Sequence, residues 1–394
     1  MPVAASPLRV ALASDWFLPR LGGIELHLSD LARELEKRGH KAHVVTTTPG
    51  SDLCDGVTVR RIKTARLPGS DLAVSPNLTS RLRDALIAGG YDVIHAHVSV
   101  ISPTGFAAIR AGISLGLPVV VTFHSVLLHA VPLLRALDYL TGWSNAPVLL
   151  SGVSELVAGQ IRAAGGRDVC VLPNGVDANT WRARHERAGG EILVVSAMRL
   201  NSKKRPLPLL EAFARATGGG RPARLIIAGE GPERARIEAA IIGLGLQGRV
   251  DLAGALSRPA LAALYARADI FVMPSVHESF GLAAIEARFA GLPVIAMRAS
   301  GSGDFLTDGT TALLADDDAG MATHLSRLLD DAPLRSTLAR PDAGLERFTW
   351  PNVVRAHEAC YLEAKARLIS RDAAAPGVAA ASGAAKKSVE DRQA

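Results

Sequence analysis

The sequence predicts an α/β fold built from two doubly wound domains that face each other across a cleft. Three observations carry that reading. Short Val- and Ile-rich runs alternate with longer helical patterns along the chain. The short runs are apolar throughout rather than alternating, as parallel strands covered on both faces are. Finally, 394 residues exceed one ordinary core, and the pattern restarts after the polar stretch Asn179–Gly190.

Each element follows in order. The first half offers strands at Leu8–Ala13, Ala42–Thr46, Asp92–His95, Pro118–Thr122, Val148–Ser151 and Val169–Leu172. The first helix places Leu28, Leu31, Ala32 and Leu35 at i, i+3, i+4 and i+7, one apolar stripe, and Gly39 ends it. The second half offers strands at Glu191–Ser196, Arg224–Ala228, Arg249–Leu252, Ile270–Met273 and Pro293–Ala296. A helix is expected over Asn352–Ile369, after the Trp350–Pro351 break. The expected division is 1–182 for the first domain and 183–350 for the second. A helix at 351–371 then packs back on the first domain, and 372–394, rich in Ala, Gly, Ser and Lys, forms a disordered tail.

Composition narrows the function classes. With 48% hydrophobic and 21% charged residues, the chain reads as globular. No run approaches the 18 apolar residues that suggest a membrane span. Met1–Ser6 shows no secretory signal. Cys54, Cys170 and Cys360 stand far apart and fit neither a disulfide framework nor a zinc site, which points to the reducing cytosol. The net charge of +6 favours phosphorylated ligands or an anionic membrane face, whereas 4% aromatics argues against nucleic acid. Arg60, Arg61, Lys63 and Arg66 read as exposed loop charge, with peripheral membrane contact as the second reading.

Ligands in open α/β sheets sit where strands end and helices begin. Gly22-Gly23 stands at such a turn, where paired glycines let backbone N–H groups approach a phosphate; a plain tight turn needs the same residues. Arg199, Lys203, Lys204 and Arg205 follow the first strand of the second half and form a diphosphate clamp or a solvated basic loop. Pro274 to Glu286 is the most informative segment. Glu278 precedes a helix expected to bury Leu282, Ile285 and Phe289, and Glu286 lies in its second turn. Eight helical residues span about 12 Å, too far for a pair acting on one bond and suited to two parts of an extended ligand. The N–H groups of Phe280, Gly281 and Leu282 would face an anion. His95 and His97 share a strand face and read as ordinary strand-end histidines, since no further metal ligand accompanies them. No Asp-x-Asp metal motif is evident. His277 beside Glu278 either orients the site or is a plain loop histidine.

Glu278-x7-Glu286 in this setting resembles the signature of retaining glycosyltransferases of family 4, whose GT-B fold pairs two Rossmann-like domains. The likeness extends through Gly22-Gly23, Asp92–His97, Val121–His124, Val153-Ser154-Glu155 and Pro173–Asp177. It continues through Arg199 with Lys204, Gly229-Glu230-Gly231-Pro232, Ala290–Ala296 and Asp308–Ala312. The resemblance implies that Glu278 contacts the transferred sugar and Glu286 the nucleotide ribose. It implies that Arg199 and Lys204 hold the donor diphosphate, that Gly22 and Gly23 approach the same phosphates, and that His124 stands near the donor sugar. Glu230, Phe280, Gly281 and Leu282 complete the implied donor-binding set. Two departures from the family pattern stand out: Gly301-Ser302-Gly303-Asp304, and Gly-Glu-Gly-Pro in place of Gly-Asp-Gly-Pro.

The implied reaction moves a sugar from a UDP- or GDP-linked donor to a hydroxyl acceptor with retention at the anomeric carbon. The expected setting is cell-envelope glycolipid or polysaccharide synthesis, with a cytoplasmic enzyme and a lipid-linked acceptor as one option. Positive side chains would replace a metal, and no cofactor is expected. The opening Trp16–Glu25 and the His-rich strand are similar to GlcNAc-transferring relatives that act on inositol lipids. A nucleotide-sugar epimerase, a phosphorylase on the same fold, and a two-lobed binding protein remain as alternatives.

Overall fold

A computed structural model describes residues 6–20, 22–67, 72–127, 130–141, 143–182, 190–218 and 220–374. Residues 183–189 at the expected domain junction and 375–394 of the expected tail lie outside the described residues.

The first lobe holds β1 (Arg9–Ser14), β2 (Lys41–Thr46), β3 (Leu53–Cys54), β4 (Val57–Arg61), β5 (Val93–Val98), β6 (Val119–Phe123), β7 (Leu149–Gly152) and β8 (Cys170–Val171). They form one sheet in the order β3-β4-β2-β1-β5-β6-β7-β8. Every pairing is parallel except the β3/β4 hairpin, which the strand pattern did not reveal because Leu53 and Thr58 face solvent. The second lobe holds β9 (Ile192–Ala197), β10 (Ala223–Ala228), β11 (Val250–Gly254), β12 (Ile270–Met273), β13 (Val294–Met297) and β14 (Ala312–Ala315), all parallel, in the order β11-β10-β9-β12-β13-β14. The strand order reverses beside β1 in one sheet and beside β9 in the other, so each sheet has a switch point where its helices part.

Helix Gly23–Lys37 buries the expected stripe Leu28, Leu31, Ala32 and Leu35 completely. The last helix, Trp350–Ala374, begins earlier and ends later than its periodicity suggested. It returns to the first lobe, burying Trp350, Val353, Val354 and Tyr361 with Leu12, Leu28 and Leu31. Glu358 on this helix pairs with Arg38 at 2.8 Å and with His40 at 3.0 Å.

The chain thus crosses between lobes twice, and the crossings run side by side. Val176 N–H donates to the Phe348 carbonyl at 2.8 Å, and Val176 pairs with Thr349 in a parallel bridge. Gly175 is needed there because a Cβ would enter the Trp350 ring. The same return brings two of the three cysteines together. Cys170 and Cys360, 190 positions apart, meet with their sulfurs 3.7 Å apart as free thiols, a proximity only the tertiary fold creates.

Candidate functional site

Loops from both switch points meet in the cleft. After β1, Gly22 caps helix Gly23–Lys37, and a Cβ added at Gly23 would sit 3.7 Å from Leu282 of the opposite lobe. A side chain at Gly22 would overlap the Glu25 carboxylate, which would have to move aside. Glu25 is buried and pairs with Arg20 at 3.5 Å; desolvation pushes its carboxyl upward, while Arg20 and Arg199 pull it down. Arg199 therefore acts electrostatically on the first lobe from the end of β9.

The four cations after β9 separate into different tasks. Lys204 Nζ donates to Glu278 Oε2 at 2.5 Å, and its loop is held by Asn201, whose Oδ1 accepts from Lys204 N–H at 3.1 Å. Arg205 turns away, bonded to Asp318 at 2.7 and 2.8 Å and to the Pro274 carbonyl at 3.2 Å. Of the four, Lys204 is tied to Glu278 and Arg205 to Asp318, while Arg199 and Lys203 are exposed.

The loop after β12 delivers Glu278 and ends at Gly281, whose φ of 95° is a left-handed value that disfavours side chains. Helix Leu282–Phe289 starts there, and among the described residues the N–H groups of Phe280, Gly281 and Leu282 have no protein acceptor. Those N–H groups and the positive end of the helix form an anion-binding surface. The Phe280 side chain lies elsewhere, packed on Phe305 and Phe348 at centroid distances of 5.6 and 5.7 Å, so only its backbone faces the cleft. Ile285 and Phe289 are buried as expected. Leu282 is a correction: it is half-buried and projects toward Gly23, because the second sheet offers the first turn of this helix no cover.

Glu286 lies deeper. Burial pushes its carboxyl up to about 8, with Arg258 opposing the shift and Asp30 adding to it. Arg258 bridges the lobes by a bidentate pair with Asp30 of helix Gly23–Lys37, one arm at 3.1 Å. Glu230 pairs with Arg234 at 2.8 Å on an exposed surface beside Gly254.

His124 closes the first-lobe side. Its Nε2 shares a hydrogen bond of 2.9 Å with His97 Nδ1, so its other ring nitrogen is left for the cleft. His95 binds Thr122 at 2.7 Å and Tyr361 at 3.0 Å. His27 stacks on Trp350 at 5.5 Å and lies 5.6 Å from His124. Burial drives all of them toward the neutral form, His124 to about 3 and His357 to about 4. His95 and His97, read from the sequence as ordinary strand-end histidines, join a chain of rings in which His27, His124 and His357 arrive from three other elements.

Among the described residues no group of three or more His, Cys, Asp and Glu side chains is arranged to hold a metal ion. The chain does spell Asp316-Asp317-Asp318, an Asp-x-Asp pattern the sequence reading passed over. Asp316 pairs with Arg298, Asp317 caps a helix by accepting from Gly320 N–H, and Asp318 pairs with Arg205. Arg61 and Arg66, two of the four cations considered for a membrane, donate to the backbone carbonyls of Leu18, Thr48, Ser51 and Thr47. No helix among the described residues is long and apolar enough to cross a membrane.

Known proteins share the fold and the family patterns of this chain. Glycosyltransferase Family 4 matches residues 21–180, and Glycosyl transferases group 1 matches residues 177–341. A GDP-mannose-dependent alpha-mannosyltransferase of Mycobacterium tuberculosis is 30% identical over 331 residues, covering 78% of this chain and 83% of that protein. The GDP-mannose-dependent alpha-(1-6)-phosphatidylinositol dimannoside mannosyltransferase of the same organism is 28% identical over 365 residues, covering 87% and 93%. Among solved structures, Anabaena HepE in complex with UDP and glucose superposes with a TM-score of 0.73 at 22% identity, covering 89% of this chain and 98% of that one. The chain belongs to glycosyltransferase family 4 and is a retaining glycosyltransferase of two facing Rossmann-like lobes.

Proposed function

We propose that this enzyme transfers a sugar from a GDP- or UDP-linked donor to a hydroxyl of an inositol-bearing glycolipid of the cell envelope, at the cytoplasmic membrane face. One observation carries the donor half. The Lys204–Glu278 ion pair, 2.5 Å long, sits beside the open N–H groups at the start of helix Leu282–Phe289 and opposite Gly23. A diphosphate fits that arrangement, with Arg199 and Lys204 stabilising the charge that develops as the sugar leaves. Glu278 meets the sugar, Glu286 the ribose, and His124 the reaction centre. Gly22, Gly23, Glu230, Phe280, Gly281 and Leu282 line the donor through backbone or apolar contact. The acceptor proton passes to the departing phosphate, and no metal or cofactor takes part.

Support for the acceptor comes from the phosphatidylinositol dimannoside mannosyltransferase, 28% identical to this chain. The exposed side chains Val100, Ile101 and Leu133, near the cleft ends of β5 and β6, suit contact with a lipid surface.

The test is nucleoside diphosphate release across GDP-mannose, UDP-glucose and UDP-GlcNAc, with and without phosphatidylinositol vesicles. Acceptor-dependent release from one donor, with an α-linked lipid product, supports the reading. Release from no donor, or an inverted product, overturns it.

A further inference from the structure

Helix Glu155–Ala163 of the first lobe touches the second lobe at two points. Its N-cap Ser154 accepts from Val157 N–H at 3.3 Å and donates its hydroxyl proton to the Ser279 carbonyl at 2.5 Å. One residue on, Glu155 N–H donates to Asp304 Oδ2 at 2.9 Å. Asp304 thus supplies, from the opposite lobe, the anion that a helix N-terminus favours. Its own backbone carbonyl is held by the Arg347 guanidinium.

The second lobe holds the same segment from behind. Gly301 N–H donates to the Glu278 carbonyl at 2.7 Å. A Cβ on Gly301 would collide with the Ser279 carbonyl and lie 2.9 Å from Ser154 Oγ, so the three residues are in close contact. Consecutive carbonyls of the loop bearing Glu278 are therefore held from opposite lobes, 278 by Gly301 and 279 by Ser154. Ser154 is fully buried, and water does not compete for its hydroxyl. Opening the cleft breaks the Ser154 and Glu155 bonds together and leaves Glu278 held from one side.

We propose that Ser154 is a positioning residue of the transfer reaction, gripping the Glu278 loop across the cleft with Asp304 as the second anchor. Placement of Glu278 is thereby coupled to closure of the lobes. This inference rests on the reading that Glu278 meets the transferred sugar. It also gives a task to Gly301-Ser302-Gly303-Asp304, one of the two departures from the family pattern.

Substitutions at Ser154 separate its two bonds. At a pH high enough to ionise it, aspartate retains an oxygen for the Val157 cap but has no proton to donate to Ser279, whereas threonine retains both functions. Hydrogen–deuterium exchange on the full chain reads the clamp without any donor. In Ser154→Asp, the Gly301 amide, bonded to the Glu278 carbonyl, should exchange about fivefold faster, the size of one lost hydrogen bond, while 157–163 stay unchanged. Ser154→Thr should match the unmodified chain. In nucleoside diphosphate release, Ser154→Asp should lower kcat about tenfold with donor KM nearly unchanged, the signature of lost transition-state alignment. Unchanged exchange at Gly301 in Ser154→Asp overturns the clamp. Faster exchange with full turnover overturns the positioning role. Full turnover in Glu278→Gln, with Ser154→Asp still exchanging faster, overturns the role of Glu278 and leaves the clamp standing.

Discussion

The first-lobe wall of the cleft buries His27, His95, His97, His124 and His357, and burial keeps each of them neutral. The second-lobe wall presents charge instead: Lys204 on Glu278, exposed Arg199, and Arg258 beside Glu286. Neutral imidazoles hydrogen-bond hydroxyl groups without attracting counter-charge, whereas cations and helix N–H groups select a diphosphate. The contrast sets a packed, neutral histidine cluster against cations that remain open to a ligand. It also means that the walls respond oppositely to pH.

The contrast is broken most severely by removing charge from the second wall. Arg199→Ala or Lys204→Ala should lower kcat/KM by about 10²-fold or more while the fold is kept, as for other lost donors in water-excluded sites. Steady-state kinetics with circular dichroism checks this, and activity within a few-fold of the unmodified enzyme would move the clamp elsewhere.

The two glutamates should then differ in kind. Glu278→Gln is expected to depress kcat about 10-fold or more, whereas Glu286→Gln should chiefly raise donor KM and weaken binding of the free nucleoside diphosphate. Donor kinetics and nucleotide titration calorimetry distinguish them.

Thermal denaturation against pH sharpens the comparison between walls. His124, at about 3 in the fold against 6.5 unfolded, gives stability that is present above pH 6.5 and lost as pH falls toward 3. Glu286, at about 8 against 4.5, gives stability that is present below pH 4.5 and lost as pH rises through 8. Glu286→Gln should therefore raise Tm relative to the unmodified chain at pH 9 by a few degrees, about 2–4 °C per kcal/mol, and the gap should shrink toward pH 5. A pH-independent gap would mean that Glu286 does not titrate as its burial requires.

The smallest effect belongs to Gly23, which faces Leu282 across the cleft. A methyl group there meets only ordinary contact with Leu282 at 3.7 Å, so Gly23→Ala should leave Tm within about 2 °C, as for other unstrained surface changes. It should nonetheless raise donor KM several-fold by holding the backbone away from the phosphates.

Much of this was legible in the residues. The parallel strands announced themselves because both faces are buried, so Val and Ile run without interruption. Gly22-Gly23 and the cations after β9 stand out because a phosphate site needs glycine and cations at strand ends, whereas Arg199 with Lys204 and Glu278 with Glu286 were singled out by the resemblance to family 4. The β3/β4 hairpin was not legible, since an exposed edge carries no apolar signature. Nor was the fate of Arg205, Arg61 and Arg66, whose charges look like those of Lys204 until their partners are known.

Local patterning thus determined the fold class, the two-lobed plan and the segments that carry the chemistry. These depend on periodicity and backbone requirements, which neighbouring residues impose. The tertiary structure decided the rest: the five-histidine wall, the Cys170–Cys360 contact, the Asp30–Arg258 bridge and the grip of Ser154 on Ser279. Each joins residues far apart in the chain, and its energetics arise from desolvation and distance, which exist only once the chain has crossed between lobes and returned.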